Sequence, residues 1–405
     1  MIALLIRLAR VSAMTELSEA IVSAPVVVLT GAGASVPLGK ATTEGFVERV
    51  AGLPLDQELL GIFRQVAAAC APSEGVQTVD IEVVLDHLAR CIESGDALRR
   101  DPNFRAVLFG RNPPQMDIER LLKQYRDLRE ALLDEVVRHY GEVDGAAAAR
   151  LYKPILVDVP QGLKAAALPV FTLNYDLAVE GAVDRLPVRL VDGLDRRRAV
   201  NRTWSAAQFH KVRASRSTTV ALFKLHGSVS WCRDENGVIS EVVGLHRDPP
   251  PCKHVLLYPS LRGKNLQGEP WSTAYGYLRA CLGRAKVALI IGTSLRDAEL
   301  VDALIAALAA NPALRLVFVG PSSNHEEWAR RVGVKPARVT AFAYRFGDKG
   351  LGGSIVSVVG ALATDPMARG GQMVALHLGR ARLRRSATAQ GASDRPPISP
   401  AAAAP

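Results

Sequence analysis

The residues of this chain best suited to chemistry lie where apolar, strand-like runs end. Four such ends carry glycine or polar residues: Gly31-Ala32-Gly33-Ala34-Ser35, Asn174-Tyr175-Asp176, His226-Gly227-Ser228 and Gly292-Thr293-Ser294. An imidazole titrates near neutral pH and can act as a general base. An amide side chain and backbone N–H groups hold polar ligands. The combination therefore suits the binding of an anionic ligand next to a group that accepts a proton.

The first of these ends is a glycine-rich turn that follows a buried strand. Pro25 to Leu29 includes three consecutive valines, which favour an extended and fully buried backbone. Glycine permits a tight turn and a close approach to a ligand, and a turn that opens a helix presents N–H groups to phosphate. The dinucleotide pattern G-x-G-x-x-G is only half present, because Val36 occupies the third glycine position. Taken alone, the segment is compatible with a nucleotide loop or with a plain strand-to-helix turn.

The other strand ends also have purely structural interpretations. Asn174 and Asp176 are residue types that commonly cap helices, and His226 before a glycine is compatible with a turn histidine. The segment Gly292-Thr293-Ser294 is compatible with an ordinary turn and cap. Ligands of open α/β sheets bind in the crevice at the carboxyl ends of the strands. The four ends together therefore predict one cleft.

The order of the apolar runs predicts the fold that must position these residues. Strand-like runs alternate with helical segments, which favours an α/β fold with a doubly wound, Rossmann-like parallel sheet covered on both faces. Residues 55–167 place apolar side chains at three- and four-residue spacings, which predicts an inserted helical module. The predicted organisation is a Rossmann-like domain at 15–54 and 168–350, the helical insertion at 55–167, a C-terminal helical segment at 351–379, a frayed or non-native extension at 1–14 and a disordered basic tail at 380–405.

Composition and charge exclude several classes of protein. No apolar run reaches the ~20 residues that span a bilayer, so no membrane partner is expected and a cytoplasmic location is favoured. The formal net charge is +10, but five arginines and only one acidic residue lie after position 379, so nucleic-acid binding is not expected. The five cysteines are scattered and form no C-x-x-C pair, which argues against a disulfide framework. A zinc site at Cys232, His246, Cys252 and His254 would match no familiar spacing, so no zinc is expected.

Four motifs together resemble the Sir2-like, or sirtuin-fold, family. They are TGAGAS at 30–35, TLNYD at 172–176, KLHGS at 224–228 and GTSLRDAEL at 292–300, in the order of the family. Each motif is weak alone, but the combination is specific. The resemblance implies a sirtuin fold and NAD as the ligand.

Departures from the deacylase pattern indicate one branch of this family. Protein deacylases usually carry a zinc module with two C-x-x-C pairs and a Gly-Ile-Pro-Asp-Phe-Arg loop. This chain has only Cys232 and Cys252 in the corresponding region, and its loop continues as GKATTE from Gly39. The segments LNYD, DIEVVLDHL and SLRD look similar to bacterial Sir2-like proteins of antiphage defence, which act as NAD hydrolases. The resemblance therefore implies hydrolysis of NAD as a substrate.

The resemblance also implies roles for individual residues. His226 is expected to act as general base, Asn174 to orient the nicotinamide ribose or the attacking water, and Asp176 to bind the carboxamide or stabilise developing charge. The residues expected at the pyrophosphate are Gly31, Ala32, Gly33, Ala34 and Ser35. The residues expected at the adenosine ribose are Gly292, Thr293 and Ser294, with Asp297 as a helper.

Two other functions stay open on the sequence. An NAD-dependent protein-lysine deacylase would use the same residues, and a non-catalytic module would bind NAD or ADP-ribose without turnover. An unrestrained NAD hydrolase would deplete its own cell. A homo-oligomer or a regulatory sensor partner is therefore expected.

Overall fold

The structure is a computed structural model that describes residues 18–70, 79–100, 118–197, 202–210, 217–242, 253–256, 266–321 and 324–364. The predicted extension at 1–14, the basic tail at 380–405 and residues 365–379 of the C-terminal segment lie outside the described residues. Within these ranges, none of the helices has the length and hydrophobicity needed to cross a bilayer.

A seven-stranded parallel sheet lies at the centre of the described chain. The strands of both sheets in the described residues are, in chain order, β1 (Val26–Thr30), β2 (Ala167–Thr172), β3 (Arg189–Val191), β4 (Thr219–Lys224), β5 (Gly227–Arg233), β6 (Ile239–Glu241), β7 (Lys253–Leu256), β8 (Val287–Ile291), β9 (Arg315–Gly320) and β10 (Val339–Ala343). All except β5, β6 and β7 belong to the large sheet. The order across the large sheet is β10-β9-β8-β1-β2-β4-β3, and its neighbouring strands all pair in parallel. The predicted doubly wound α/β fold is confirmed.

Helices cover both faces of this sheet. They are, in chain order, α1 (Thr43–Val50), α2 (Gln57–Cys70), α3 (Ile81–Arg100), α4 (Ile118–Gly141), α5 (Gly145–Lys153), α6 (Val159–Leu163), α7 (Ala178–Val183), α8 (Trp271–Leu282), α9 (Ala298–Ala310), α10 (His325–Arg331) and α11 (Leu351–Thr364), and residues 18–22 are also helical. Successive side chains of a strand point to opposite faces. Accordingly, Phe171 of β2 packs with Leu278 and Leu304 in one core, whereas Val170 packs with Ile155 and Ile355 in the other.

The long insertion between β1 and β2 divides between two cores. Helices α2, α3 and α4 pack around an apolar cluster of their own, which also includes Phe46 of α1 and Tyr175 just beyond β2. Tyr152 of α5 and Val159 of α6 instead pack against the sheet. The predicted domain boundaries stay a prediction. The shared apolar cluster nevertheless brings the first helices of the insertion together with Tyr175, in the loop that carries Asn174.

A small antiparallel sheet of order β6-β5-β7 follows β4 and was not predicted from the sequence. It begins at Gly227, whose φ is +87° and where a Cβ atom would lie 1.9 Å from the carbonyl oxygen of Val255. Cys232 of β5 is in a disulfide bond, although the scattered cysteines had predicted no disulfide framework. Cys70, Cys91 and Cys281 are free thiols.

Candidate active site

The polar strand ends lie side by side at the carboxyl edge of the sheet. The chain passes from β1 to β2 on one side and later adds β8 on the other side, so β1 is the point at which the winding direction reverses. Thr30 pairs with both Ile291 and Thr172, and Thr172 pairs with Lys224. Parallel strands are about 4.8 Å apart. The loops that carry the predicted site residues therefore leave neighbouring strands at the same level.

The glycine loop after β1 packs directly against the loop after β8. The N–H of Gly31 donates to the carbonyl of Ile291 at 2.9 Å, and the N–H of Gly33 donates to the carbonyl of Gly292 at 2.8 Å. A Cβ atom on Gly33 would lie 2.8 Å from the Cα of Gly292, and one on Gly31 would lie 2.8 Å from the Cβ of Thr293. Glycine is needed at these positions because the two loops approach so closely.

Most N–H groups of this loop donate to backbone carbonyls of the protein itself. Ala32–Ala34 forms a 3-10 turn, in which the N–H of Ala34 donates to Gly31 and that of Ser35 donates to Ala32. Together with the bonds from Gly31 and Gly33, four N–H groups expected to meet pyrophosphate already donate to backbone carbonyls. Two of these bonds belong to the 3-10 turn, and the other two join the glycine loop to β8 and the loop after it. The expected contacts of this loop with pyrophosphate stay a prediction.

Asn174 ties the end of β2 to the glycine loop. Its side-chain Nδ2 donates to the carbonyl of Gly31 at 3.0 Å and to the hydroxyl of Ser35 at 3.1 Å. Asn174 is 9% exposed and Ser35 is 1% exposed. Burial raises the pKa of Tyr152, whose hydroxyl interacts with that of Ser35. The amide of Asn174 thus joins the loop after β2 to the glycine loop after β1.

His226 and Asp297 form a buried pair. Nε2 of His226 lies 2.7 Å from Oδ2 of Asp297, and the two side chains are 7% and 5% exposed. An ionised carboxylate only accepts hydrogen bonds, so in this contact Nε2 donates to Asp297. The other carboxylate oxygen of Asp297 accepts from the N–H of Leu300 at 2.8 Å and caps α9. Asp297 is expected to help bind the adenosine ribose, which stays a prediction; in the structure it contacts the predicted general base.

Three further predicted residues also have partners within the protein, and the bonds of Asp176 and Thr293 are local ones typical of turns and caps. Oδ1 of Asp176 accepts from the N–H of Ala178 at 2.9 Å. The hydroxyl of Thr293 accepts from the N–H of Leu295 at 3.2 Å. The carbonyl of Ser294 accepts from Arg331 at 2.8 Å. None of these bonds tests the ligand contacts that are expected of these residues, which stay predictions.

The helical module holds the segment that follows the glycine loop. The Lys40 side chain is 8% exposed and donates to the carbonyls of His139 and Glu142, at the C-terminal end of α4. A cation is favourable there because the helix dipole is negative at that end. The N–H of Ala41 donates to Nε2 of His139 at 2.9 Å, and the hydroxyl of Tyr140 donates to the carbonyl of Ala41 at 3.0 Å. These four bonds fix Lys40 and Ala41 to the end of one long helix.

We expect the contact between His139 and Ala41 to make stability depend on pH. Nε2 of His139 accepts a hydrogen bond, so protonation of the ring breaks it. Burial lowers the pKa of His139, and the charges of Arg49 and Lys40 lower it further. The unfolded chain, with a pKa of about 6.5, therefore takes up the proton first. The contribution is complete above about pH 6.5 and is lost as the pH falls through the folded pKa.

Urea unfolding between about pH 8 and pH 5 measures this dependence. The His139→Gln variant keeps an oxygen that can accept from Ala41 and removes the titration, so its stability should fall less steeply towards acid pH. His87, whose pKa burial also lowers, is present in both proteins and does not contribute to the difference. Equal pH slopes in the two proteins would contradict the assignment.

Two buried residues of the site were missed from the sequence. Lys224, at the end of β4, has a side chain that is 1% exposed and lies 2.8 Å from Oε1 of Glu180 on α7. Burial raises the pKa of Glu180, and the Lys224 ammonium opposes this rise. A single lysine within the otherwise apolar run TVALFKL was the available signal, since buried lysines require a partner. Within the described residues, no group of three or more His, Cys, Asp or Glu is arranged to hold a metal ion.

The fold and the site define an α/β protein with polar strand ends gathered at the switch point of its sheet. Residues 169–336 match the family model of the SIR2-like domain. The matched segment contains Asn174, Asp176, His226 and Asp297, lies after the glycine loop and covers less than half of the chain. The predicted resemblance to the Sir2-like family is confirmed for this segment.

Solved structures of Sir2 homologues are similar to the chain at low sequence identity. A Sir2 homologue in complex with NAD has 17% identity and a TM-score of 0.39, over 86% of this chain and 94% of that one. A mutant Sir2 homologue in complex with ADP-ribose has 14% identity and a TM-score of 0.38, over 86% and 96%. No curated protein sequence matches the chain. The likeness of this chain to the Sir2-like family therefore depends on the family match over residues 169–336 and on the motifs.

Proposed function

We propose that this protein is an NAD+ nucleosidase, which hydrolyses NAD+ to nicotinamide and ADP-ribose. The observation that carries the proposal is the buried pair of His226 and Asp297 on the strand ends next to the contact between Asn174 and the glycine loop. A positioned imidazole held by a carboxylate is a common general base. The SIR2-like match, which contains three of these four elements, supports the same proposal.

In the proposed reaction, the bond between the ribose C1′ and the nicotinamide nitrogen breaks. The bonding pair leaves with the pyridinium, which becomes neutral nicotinamide, and positive charge develops on the ribose as in glycoside hydrolysis. A water oxygen forms the new bond to C1′, and its proton passes to the imidazole of His226. The carboxylate of Asp297 stabilises the imidazolium that forms.

The other residues serve binding and orientation in this proposal. Asn174 orients the nicotinamide ribose or the attacking water, and its bonds to Gly31 and Ser35 hold its amide beside the glycine loop. Such positioning affects rates strongly. Asp176 binds the carboxamide or stabilises developing charge. The loop Gly31 to Ser35 receives the pyrophosphate, as the resemblance implies, although four of its N–H groups have backbone partners. Gly292, Thr293 and Ser294 meet the adenosine ribose.

One incubation tests the proposal against its two rivals. Purified protein is incubated with NAD+, with and without an acetyl-lysine peptide, and the products are separated by chromatography. Nicotinamide and ADP-ribose in equal amounts without peptide are the expected result. Nicotinamide that forms only together with deacetylated peptide would establish a deacylase instead. Binding of NAD+ by calorimetry without any product would establish a non-catalytic module.

The proposed biological setting is bacterial antiphage defence in the cytoplasm, which follows from the resemblance described above. Such an activity has to be restrained until infection, and we propose that a homo-oligomer or a sensor protein does this. Bacteria that express the wild-type chain should lose NAD+ after infection and restrict the phage, whereas bacteria that express His226→Ala should not. Equal phage titres with both chains would contradict this role.

A further inference from the structure

Lys224 is a buried cation beside the candidate site that the proposed reaction does not use. It is the last residue of β4, two positions before His226, and its side chain is 1% exposed. Taking an ammonium out of water costs several kcal/mol unless partners replace its hydration. A lysine at this position is therefore expected to have a specific set of acceptors.

The structure supplies those acceptors from a single loop and the helix that follows it. The ammonium of Lys224 donates to Oε1 of Glu180 at 2.8 Å, to the carbonyl of Asp176, and more weakly to the carbonyl of Tyr175 at 3.4 Å. An ammonium has three N–H donors and no acceptor. All three directions are thus used within the chain Tyr175–Glu180, which leads directly from Asn174.

We propose that Lys224 is a positioning residue, whose ammonium holds the Asn174–Asp176 loop against the strand end that carries His226. A single residue, Leu225, separates Lys224 from His226, while the acceptors of Lys224 begin one residue after Asn174. The lysine therefore fixes the distance between the amide that orients the ribose and the imidazole that accepts the proton. This inference rests on the proposed hydrolysis of NAD+.

The simpler interpretation is that Lys224 only neutralises Glu180. The two interpretations differ in whether the bonds from Lys224 to the carbonyls of Tyr175 and Asp176 affect the reaction. Lys224→Met leaves Glu180 buried without its cation, so this variant loses stability under both interpretations. The double variant Lys224→Met/Glu180→Leu removes both charges, and only the hold on the carbonyls is then missing.

The test compares kcat and KM for nicotinamide release, thermal unfolding, and hydrogen exchange of the amides at 173–178. We expect the double variant to regain most of the thermal stability lost in Lys224→Met. Its kcat should stay about 10- to 100-fold below the wild-type value, with KM within about threefold, because misplaced groups slow the reaction more than they weaken binding. Amides at 173–178 should exchange at least about tenfold faster than in the wild type. Lys153→Met, which removes a surface ion pair with Asp158 at 2.7 Å, is the matched control and should leave kcat unchanged.

A double variant with wild-type kcat and wild-type exchange would overturn the inference and leave Lys224 as a partner of Glu180 only. Should the double variant not fold, Glu180→Gln decides instead, because it weakens the ion pair and keeps the ammonium on the carbonyls. Its kcat should fall less than that of Lys224→Met, and an equal fall would overturn the inference. A wild-type protein that releases no nicotinamide would end the proposed function, while hydrogen exchange would still decide whether Lys224 holds the loop.

Discussion

Replacing His226 with alanine should lower kcat for nicotinamide release by about 10²–10⁴-fold, the usual contribution of a general base. The imidazole is held by Asp297 at 2.7 Å, so its orientation is determined before a ligand arrives. Removal of the ring takes away the group that accepts the proton of the attacking water. The NAD+ affinity should change far less, because binding depends mainly on the glycine loops.

Asp297→Asn tests the carboxylate of the same pair. Asp297 accepts from His226 on one oxygen and from the N–H of Leu300 on the other, whereas asparagine has a single acceptor oxygen and no charge to stabilise an imidazolium. Because both the orientation of the ring and the counter-ion are then disturbed, kcat should fall by about 10²–10⁴-fold.

The matched control is His210→Ala, which removes a half-buried histidine bonded to the hydroxyl of Ser18. We expect this variant to keep the wild-type kcat. If His226→Ala also keeps it, the imidazole takes no part in the reaction and the proposed mechanism is wrong. Nicotinamide release measured by chromatography under saturating NAD+ is the deciding quantity.

The second large effect is expected at Gly292, where alanine should destabilise the folded state by about 2–5 kcal/mol. The φ of Gly292 is +63°, and a Cβ atom there would lie 2.2 Å from the backbone nitrogen of Ala34 and 2.7 Å from the Cα of Gly33. Backbone atoms on both sides cannot move without separating the β1 and β8 loops. The variant should therefore lose nicotinamide release together with stability.

Gly333 offers a control in which the backbone conformation is matched and the contact is absent. Its φ is +66°, and a Cβ atom there would have no neighbour within 4 Å. Gly333→Ala should cost only the conformational strain of about 1–2 kcal/mol. Urea unfolding of both variants measures the difference. Equal losses would mean that the close approach of the two loops contributes nothing to stability.

The sequence could predict the sheet and the positions of the strand ends because both depend on local patterns. Continuous apolar runs such as KVALII and LRLVFV form strands only when both faces are buried, and helices between them require a parallel arrangement. Asn174 and His226 could be selected because each follows such a run directly. The parallel register then placed them at one edge.

Partners across the sheet could not be predicted, because they depend on how strands distant in sequence are ordered. The sequence contained Asp297 and His226, but only the neighbouring positions of the loops after β8 and β4 made them a pair. The bonds from the glycine-loop N–H groups to Gly292 and Ile291 likewise required the placement of β8 beside β1. A buried lysine is recognisable in a strand, whereas its acceptors belong to another loop.

For this protein, the amino-acid sequence by itself determined which segments form the parallel sheet and which residues stand at its carboxyl edge. The physical reason is that burial and backbone preference act over a few neighbouring residues. Only the tertiary structure decided which of those residues meet, and hence that the carboxylate of Asp297 contacts the imidazole of His226. Which residues meet depends on the order of the strands across the sheet, and no short segment of the sequence specifies that order.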